Sequence, residues 1–225
     1  MLRATRVTLA LKRMELTGMI SPPTPPLTDL ERDALTELSN IAMARAATSL
    51  RQMVENQVLL SVPRVDIVSK EEATRLVAKP NNPRLVAVRQ DFKGPFSGRA
   101  LLIFPEANSL ELVRVVVGKE LPLEDISNLE DEALAETGNI ILNSWVATIA
   151  NLLKRTLDIS LPVVIRGDSR RMLQSDEAQT LVLFLHIQFE IRQKEIQGYV
   201  ALLMDIPSLG ILRLLIADLI NEITK

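Results

Sequence analysis

Two stretches of the chain, 99 residues apart, carry the same polar groups at the same helical spacing. Asp33, Glu37, Asn40 and Ile41 are matched by Glu132, Glu136, Asn139 and Ile140. Ser61 and Pro63 return as Ser160 and Pro162 in the same register, without a gap. A duplicated chain keeps its apolar periodicity because each copy needs a core, but packing gives no reason to keep a Glu and an Asn twice. The correspondence runs loosely to the ends of both copies, where Gly98 followed by Leu101, Leu102 and Ile103 pairs with Gly198 followed by Ala201, Leu202 and Leu203. The repeat predicts one domain over residues 28–225, built of halves at about 28–125 and 126–225.

Each half opens with a long helix. The first is expected over residues 28–57, with Thr28 or Asp29 as N-cap and Glu31 in the first turn, and the second over 128–157, with Ser127 or Asn128 as cap. Strands are expected at 63–68 and 162–165, each opened by a proline whose missing N–H breaks no ladder there, and at 85–92, 97–104, 180–192 and 196–204. Between residues 183 and 191, Leu183, Leu185, Ile187, Phe189 and Ile191 alternate with Phe184, His186, Gln188 and Glu190, as in a strand with one deeply buried face. Short connections at 93–95 and 193–195 imply antiparallel hairpins, and closing helices are expected at 107–117 and 208–221. The predicted fold is α/β (α+β): duplicated α-β-β-β-α units share one largely antiparallel sheet, with two long pseudo-twofold-related helices and all helices on one face. Residues 1–27, with the run Ser21, Pro22, Pro23, Thr24, Pro25 and Pro26, read as an extended tail and linker. No apolar run of about 18 residues and no secretory leader pattern is present, so a cytoplasmic protein without membrane insertion is expected. Internal duplication supplies the pairing that a single-copy chain would seek in a dimer, and a monomer is expected.

Composition then narrows the chemistry. The chain has no cysteine, a single histidine (His186), and 26 Lys and Arg against 28 Asp and Glu. Disulfides, Cys/His zinc sites, thiol nucleophiles and triads needing two histidines are excluded, and the near-neutral charge disfavours nucleic-acid binding. Gly94, Gly98 and Gly118 lack phosphate-loop spacing. His186, in mid-strand, reads as structural and Trp145 as a core anchor. Glu130, Asp131 and Glu132 point in different directions on a helix and read as a solvated face, with no metal site. Positions 33, 37 and 40, and their counterparts 132, 136 and 139, step by four and three and share a helix face. Such a face offers a carboxylate, which binds a cation or takes a proton, beside an amide that both donates and accepts and so can position a water.

The spacing of Asp or Ser, three residues, Glu, two residues, Asn, twenty-two residues and Pro resembles the signature of the CheC/CheX/FliY family of chemotaxis phosphatases. Asp33, Glu37, Asn40 and Pro63 match it fully; Glu136, Asn139 and Pro162 match in the second half, where Glu132 replaces the usual Asp or Ser. The resemblance covers residues 28–225, and the complete double motif is similar to the CheC type. FliY-like members add a flagellar switch domain, for which the chain has no room. The resemblance implies dephosphorylation of a phosphorylated CheY-like response regulator. Glu37 and Glu136 would dock to the regulator, Asn40 and Asn139 would orient the attacking water, and Pro63 and Pro162 would shape the passage from helix to strand. It also implies no cofactor of the chain's own, since the Mg²⁺ belongs to the regulator. The competing reading is a non-enzymatic adaptor that binds the receptor deamidase CheD or sequesters a receiver domain.

Overall fold

The computed structural model describes residues 26–54, 58–78, 84–109, 113, 123–174, 180–191 and 194–223. The Pro-rich tail up to residue 25 lies outside them. So does most of the expected helix at 107–117, of which only the 3-10 turn Glu106–Asn108, Ser109 and Val113 are described. In chain order the elements are α1 (Asp29–Val54), β1 (Val58–Ser69), α2 (Lys70–Val77), β2 (Leu85–Lys93), β3 (Gly98–Pro105), α3 (Leu123–Leu152), β4 (Asp158–Ile159), β5 (Val163–Gly167), α4 (Ser169–Met172), β6 (Thr180–Ile191), β7 (Lys194–Asp205) and α5 (Ile206–Ile223). α3 starts earlier than expected, so Ser127 and Asn128 lie inside the helix and do not cap it.

The strands form one seven-stranded sheet in the order β1-β6-β7-β3-β2-β4, with β5 also paired to β2, and every pairing is antiparallel. Exchanging the two halves reverses this order onto itself. The central β3–β7 register is symmetric about Leu101 facing Ala201, flanked by Arg99 facing Leu203 and Ile103 facing Tyr199. The pseudo-twofold axis thus passes through that pair. The outer strands are exchanged: β1 of the first half pairs with β6 of the second, and β5 of the second with β2 of the first.

Two expectations need correcting. β1 begins at Val58, so Pro63 does not open it but lies in its interior, where the pairing with β6 slips between Ser61 and Arg64. A proline is tolerated there because β1 is an edge strand and a bulge leaves its missing donor unneeded. Its counterpart is broken into β4 and β5, and Pro162 directly precedes β5. Helices also cover both faces. The long helices and α5 bury one, where Leu38, Met43, Trp145 and Ile149 meet Leu183, Leu185 and Ile187. On the other, α2 and α4 contribute Ala73, Val77 and Met172 to a second cluster with Leu101, Phe184 and Ala201. These short helices begin 99 residues apart, capped by Ser69, which accepts from the Glu72 N–H, and by Asp168, which accepts from that of Arg171.

α1 and α3 pack against each other. The buried Trp145 indole N–H donates to Ser39 Oγ at 3.0 Å, and Arg45 donates to Thr148 Oγ1 at 3.1 Å. Trp145 is the core anchor expected of it. His186 lies in β6 in mutual contact with the rings of Phe184 and Tyr199, and burial, then the Arg64 charge, lowers its pKa against the opposing pull of Asp66. None of the described helices is long and apolar enough to cross a membrane.

The α1 N-terminus is a capping box. Thr28 Oγ1 accepts from the Glu31 N–H, and the Glu31 carboxylate accepts from the Thr28 N–H at 2.8 Å. Arg213 of α5 grips the same carboxylate with two bonds, at 2.8 and 3.0 Å. Burial works to raise the Glu31 pKa, but the bonds from Arg213 and Thr28 outweigh it, and the value falls below the ordinary 4.5. A depressed carboxyl contributes stability that is fully present above the unfolded value and is lost as pH falls through the folded one. Urea titrations should therefore show wild type more stable than Glu31→Gln at pH 7, with the gap closing below about pH 4.5.

At the other end of α3, the Arg155 N–H bonds to the Ala150 carbonyl and the Lys154 N–H to that of Asn151, while Lys154 has φ 55°. This is a Schellman cap with a lysine at the left-handed position that glycine favours. Its exposed ion pair with Glu222 contributes little. Lys154→Gly is expected to raise stability by about 0.5–1 kcal/mol in chemical denaturation.

Candidate functional site

Glu37 and Glu136 are exposed, each one helical turn before a half-buried asparagine. Asp33 and Glu132 are exposed on the same two helices. Glu130 departs from the solvated face expected of it. It accepts from Ser109 Oγ at 2.6 Å and, with Asp131, pairs with Arg166 of β5. Burial would lower the Arg166 pKa, but the bonds and charges of Asp131 and Glu130 raise it.

The two asparagines stand in different surroundings. Asn40 Nδ2 donates to the Thr36 carbonyl at 3.1 Å and to the Val62 carbonyl at 3.2 Å, and its Oδ1 accepts from the Val62 N–H at 2.8 Å. The side-chain amide pairs with Val62 as a neighbouring peptide would. Val62 needs such a partner because the ladder to β6 skips from Ser61 to Arg64, and the residue is only 1% exposed. Unpaired backbone groups at that depth would cost about 1–3 kcal/mol each. Asn40 and Pro63 thus belong to one local device, a bulge and the clamp that satisfies it.

Asn139 is bonded through its oxygen. Oδ1 accepts from Gln90 Nε2 at 3.1 Å and from Asn143 Nδ2 at 2.7 Å. Gln90, 2% exposed in β2, also donates to the Ser160 carbonyl at 2.9 Å, which sets which end of its amide faces the helix. Among the described residues, Gln90 Oε1 has no hydrogen-bond partner. Ser160 in turn exchanges bonds with Asp91: its N–H donates to the Asp91 carbonyl, and its Oγ accepts from the Asp91 N–H, both at 2.9 Å. Leu161, the counterpart of Val62, is 85% exposed and is not held by Asn139.

Sequence reasoning named Asn139 but missed Gln90, Asn143 and Ser160 as its supports. A signal was present: Gln90 is the one uncharged polar residue of its strand, between Arg89 and Asp91, and Asn143 follows Asn139 by one turn on the same helix face. α3 lies close to the sheet because position 138 has no side chain. A Cβ on Gly138 would fall 2.4–2.6 Å from the side-chain carbons of Val88. Both elements are in the core, so neither yields easily. Gly138→Ala should cost about 1–3 kcal/mol in thermal or urea unfolding by lifting α3 from β2, and should weaken the Gln90–Asn139 bond.

The family profile described as Chemotaxis phosphatase CheX matches residues 86–186, a span that holds Gln90, Glu136, Asn139 and Pro162. The CheY-P phosphatase CheC of Bacillus subtilis is 22% identical over 188 residues, covering 79% of this chain and 90% of that protein. The flagellar motor switch phosphatase FliY of the same organism is 22% identical over 172 residues, covering 76% of this chain; the chain spans 44% of its length. Among solved structures, Thermotoga maritima FliY superimposes with a TM-score of 0.67 at 19% identity, over 85% of this chain and 98% of that one. The FliM middle domain from H. pylori does so with a TM-score of 0.57 at 12% identity, over 84% and 99%. Structures named FliY and FliM thus have this fold in common. The profile, the relatives and the α+β architecture with its antiparallel sheet agree: the chain is similar to the CheC/CheX/FliY phosphatase family and has the fold of its solved members.

Proposed function

We propose that the chain hydrolyses the aspartyl phosphate of a CheY-like receiver domain. The observation that carries this reading is the exposed glutamate one turn before an amide, present on both long helices. The chemistry demands little more. An aspartyl phosphate is already activated, and the receiver brings the phosphoryl group, the Mg²⁺ and a lysine of its own. A phosphatase then has only to dock and to align the attacking water. Glu37 and Glu136 act as docking acids toward the receiver's lysine. The amides of Asn40 and Asn139 are the groups within reach of the phosphoryl centre. Water oxygen forms the new P–O bond as the bond to the receiver carboxylate breaks. The products are the free carboxylate and inorganic phosphate, which takes up the water's oxygen with both its protons as H2PO4− and then passes one of them to solvent.

The test follows phosphate loss from a receiver domain charged with acetyl phosphate in the presence of Mg²⁺. Wild-type protein is expected to accelerate it, and the double variant Asn40→Ala/Asn139→Ala to lose about 10²-fold of that acceleration. Unchanged decay across CheY-like receivers would overturn the reading. Binding of the charged receiver without faster decay would favour sequestration instead.

A further inference from the structure

The two Glu/Asn pairs are identical in sequence but offer different atoms to a bound receiver. Both N–H bonds of the Asn40 amide have backbone carbonyls to serve, those of Thr36 and Val62. Its oxygen carries the Val62 N–H as well. Asn139 is the inverse. Its oxygen takes two donors, from Gln90 and Asn143, and so has both lone pairs filled. This orientation is not arbitrary, because the chain of bonds is anchored on a backbone carbonyl, that of Ser160, which Gln90 can meet only with its N–H end. Among the described residues, none accepts a hydrogen bond from Asn139 Nδ2; the side-chain bonds of Asn139 are both made at Oδ1. Exposure of the neighbouring residues follows the same division: Val62 is buried under Asn40, whereas Leu161 stands in solvent beyond Asn139.

Resting on the phosphatase reading, we infer that the second repeat carries the reaction: Asn139 is the catalytic amide, acting as a donor, Gln90 is its positioning residue, and Asn40 serves chiefly as the clamp on the β1 bulge. With its oxygen filled, Asn139 cannot accept from the attacking water. It acts through its NH₂ group, donating to a phosphoryl oxygen, where negative charge is spread in the transition state, or to the lone pair of the water. Gln90 keeps that group pointing outward. It does so from a strand of the first repeat, so the site of the second repeat is completed by the first. The unpartnered Gln90 Oε1 fits this role, since burying an unsatisfied acceptor is a cost that packing alone would avoid.

The experiment compares Asn40→Ala, Asn139→Ala and Gln90→Met with wild type, using steady-state kcat and KM on the phosphorylated receiver, melting midpoints, and exchange of the side-chain amide protons with water by NMR. In wild-type protein the Asn139 Nδ2 protons should exchange faster than those of Asn40. The kcat loss in Asn139→Ala should exceed that in Asn40→Ala by at least about tenfold, while Asn40→Ala should show the larger fall in melting midpoint, about 5 °C or more. Gln90→Met, close in shape but without donors, should lower kcat with KM little changed, measured where circular dichroism shows the variant folded. Equal kcat losses in the two asparagine variants, or equal exchange of the two amides, with wild-type hydrolysis intact, would overturn the inference alone. Absence of hydrolysis in wild type would overturn the phosphatase reading, and with it the catalytic half of this assignment.

Discussion

Each half of the chain lends its first strand to the other, and everything else is built on that exchange. Among the described residues, β1 pairs only with β6, and β5 only with β2, so neither half holds a complete sheet. The exchange closes at the centre on the β3–β7 ladder, symmetric about Leu101 and Ala201. One continuous sheet then offers one face to both long helices, and α1 and α3 are brought together where Trp145 meets Ser39. The second face is sealed by two short helices at equivalent places, so the central strands are buried on both sides. Shared strands of this kind make the halves one cooperative unit, because unfolding either removes the outer strand of the other.

The exchange also explains why duplicated residues have diverged in what they do. Asn40 lies over β1, a strand of its own half, at the bulge that Pro63 introduces, and its amide is drawn into repairing the ladder. Asn139 lies over β2, a strand of the other half, and finds Gln90 there. The corresponding stretch of its own half is interrupted at Leu161, which faces solvent and makes no demand on it. The close approach that allows this contact is set by Gly138 against Val88, at the position where the first helix has Ser39 bonded to Trp145.

Much of the fold was legible because it is local and periodic. The two long helices, both hairpins and the alternation along β6 follow from spacing alone, and the repeat follows from comparing the chain with itself. Elements that depend on distant partners were not legible. α2 and α4 have 8 and 4 residues, too few for a helical period to declare itself, although Ser69 and Asp168 are ordinary caps. Pro63 looked like the start of a strand because a proline in mid-strand is disfavoured, and only the edge position and the bulge make it tolerable.

At the site the same division holds. The sequence by itself determined which side chains are there: Glu37 with Asn40 and Glu136 with Asn139, each on one helix face, in a chain whose lack of cysteine and single histidine exclude most other chemistry. Helical geometry places residues three apart side by side whatever surrounds them. Only the tertiary structure decided which end of each amide is left over, because that depends on hydrogen-bond partners 22 and 49 residues away in sequence, Val62 for Asn40 and Gln90 for Asn139. An amide donates from one end and accepts at the other, and no spacing along a helix records which end the sheet beneath it will claim.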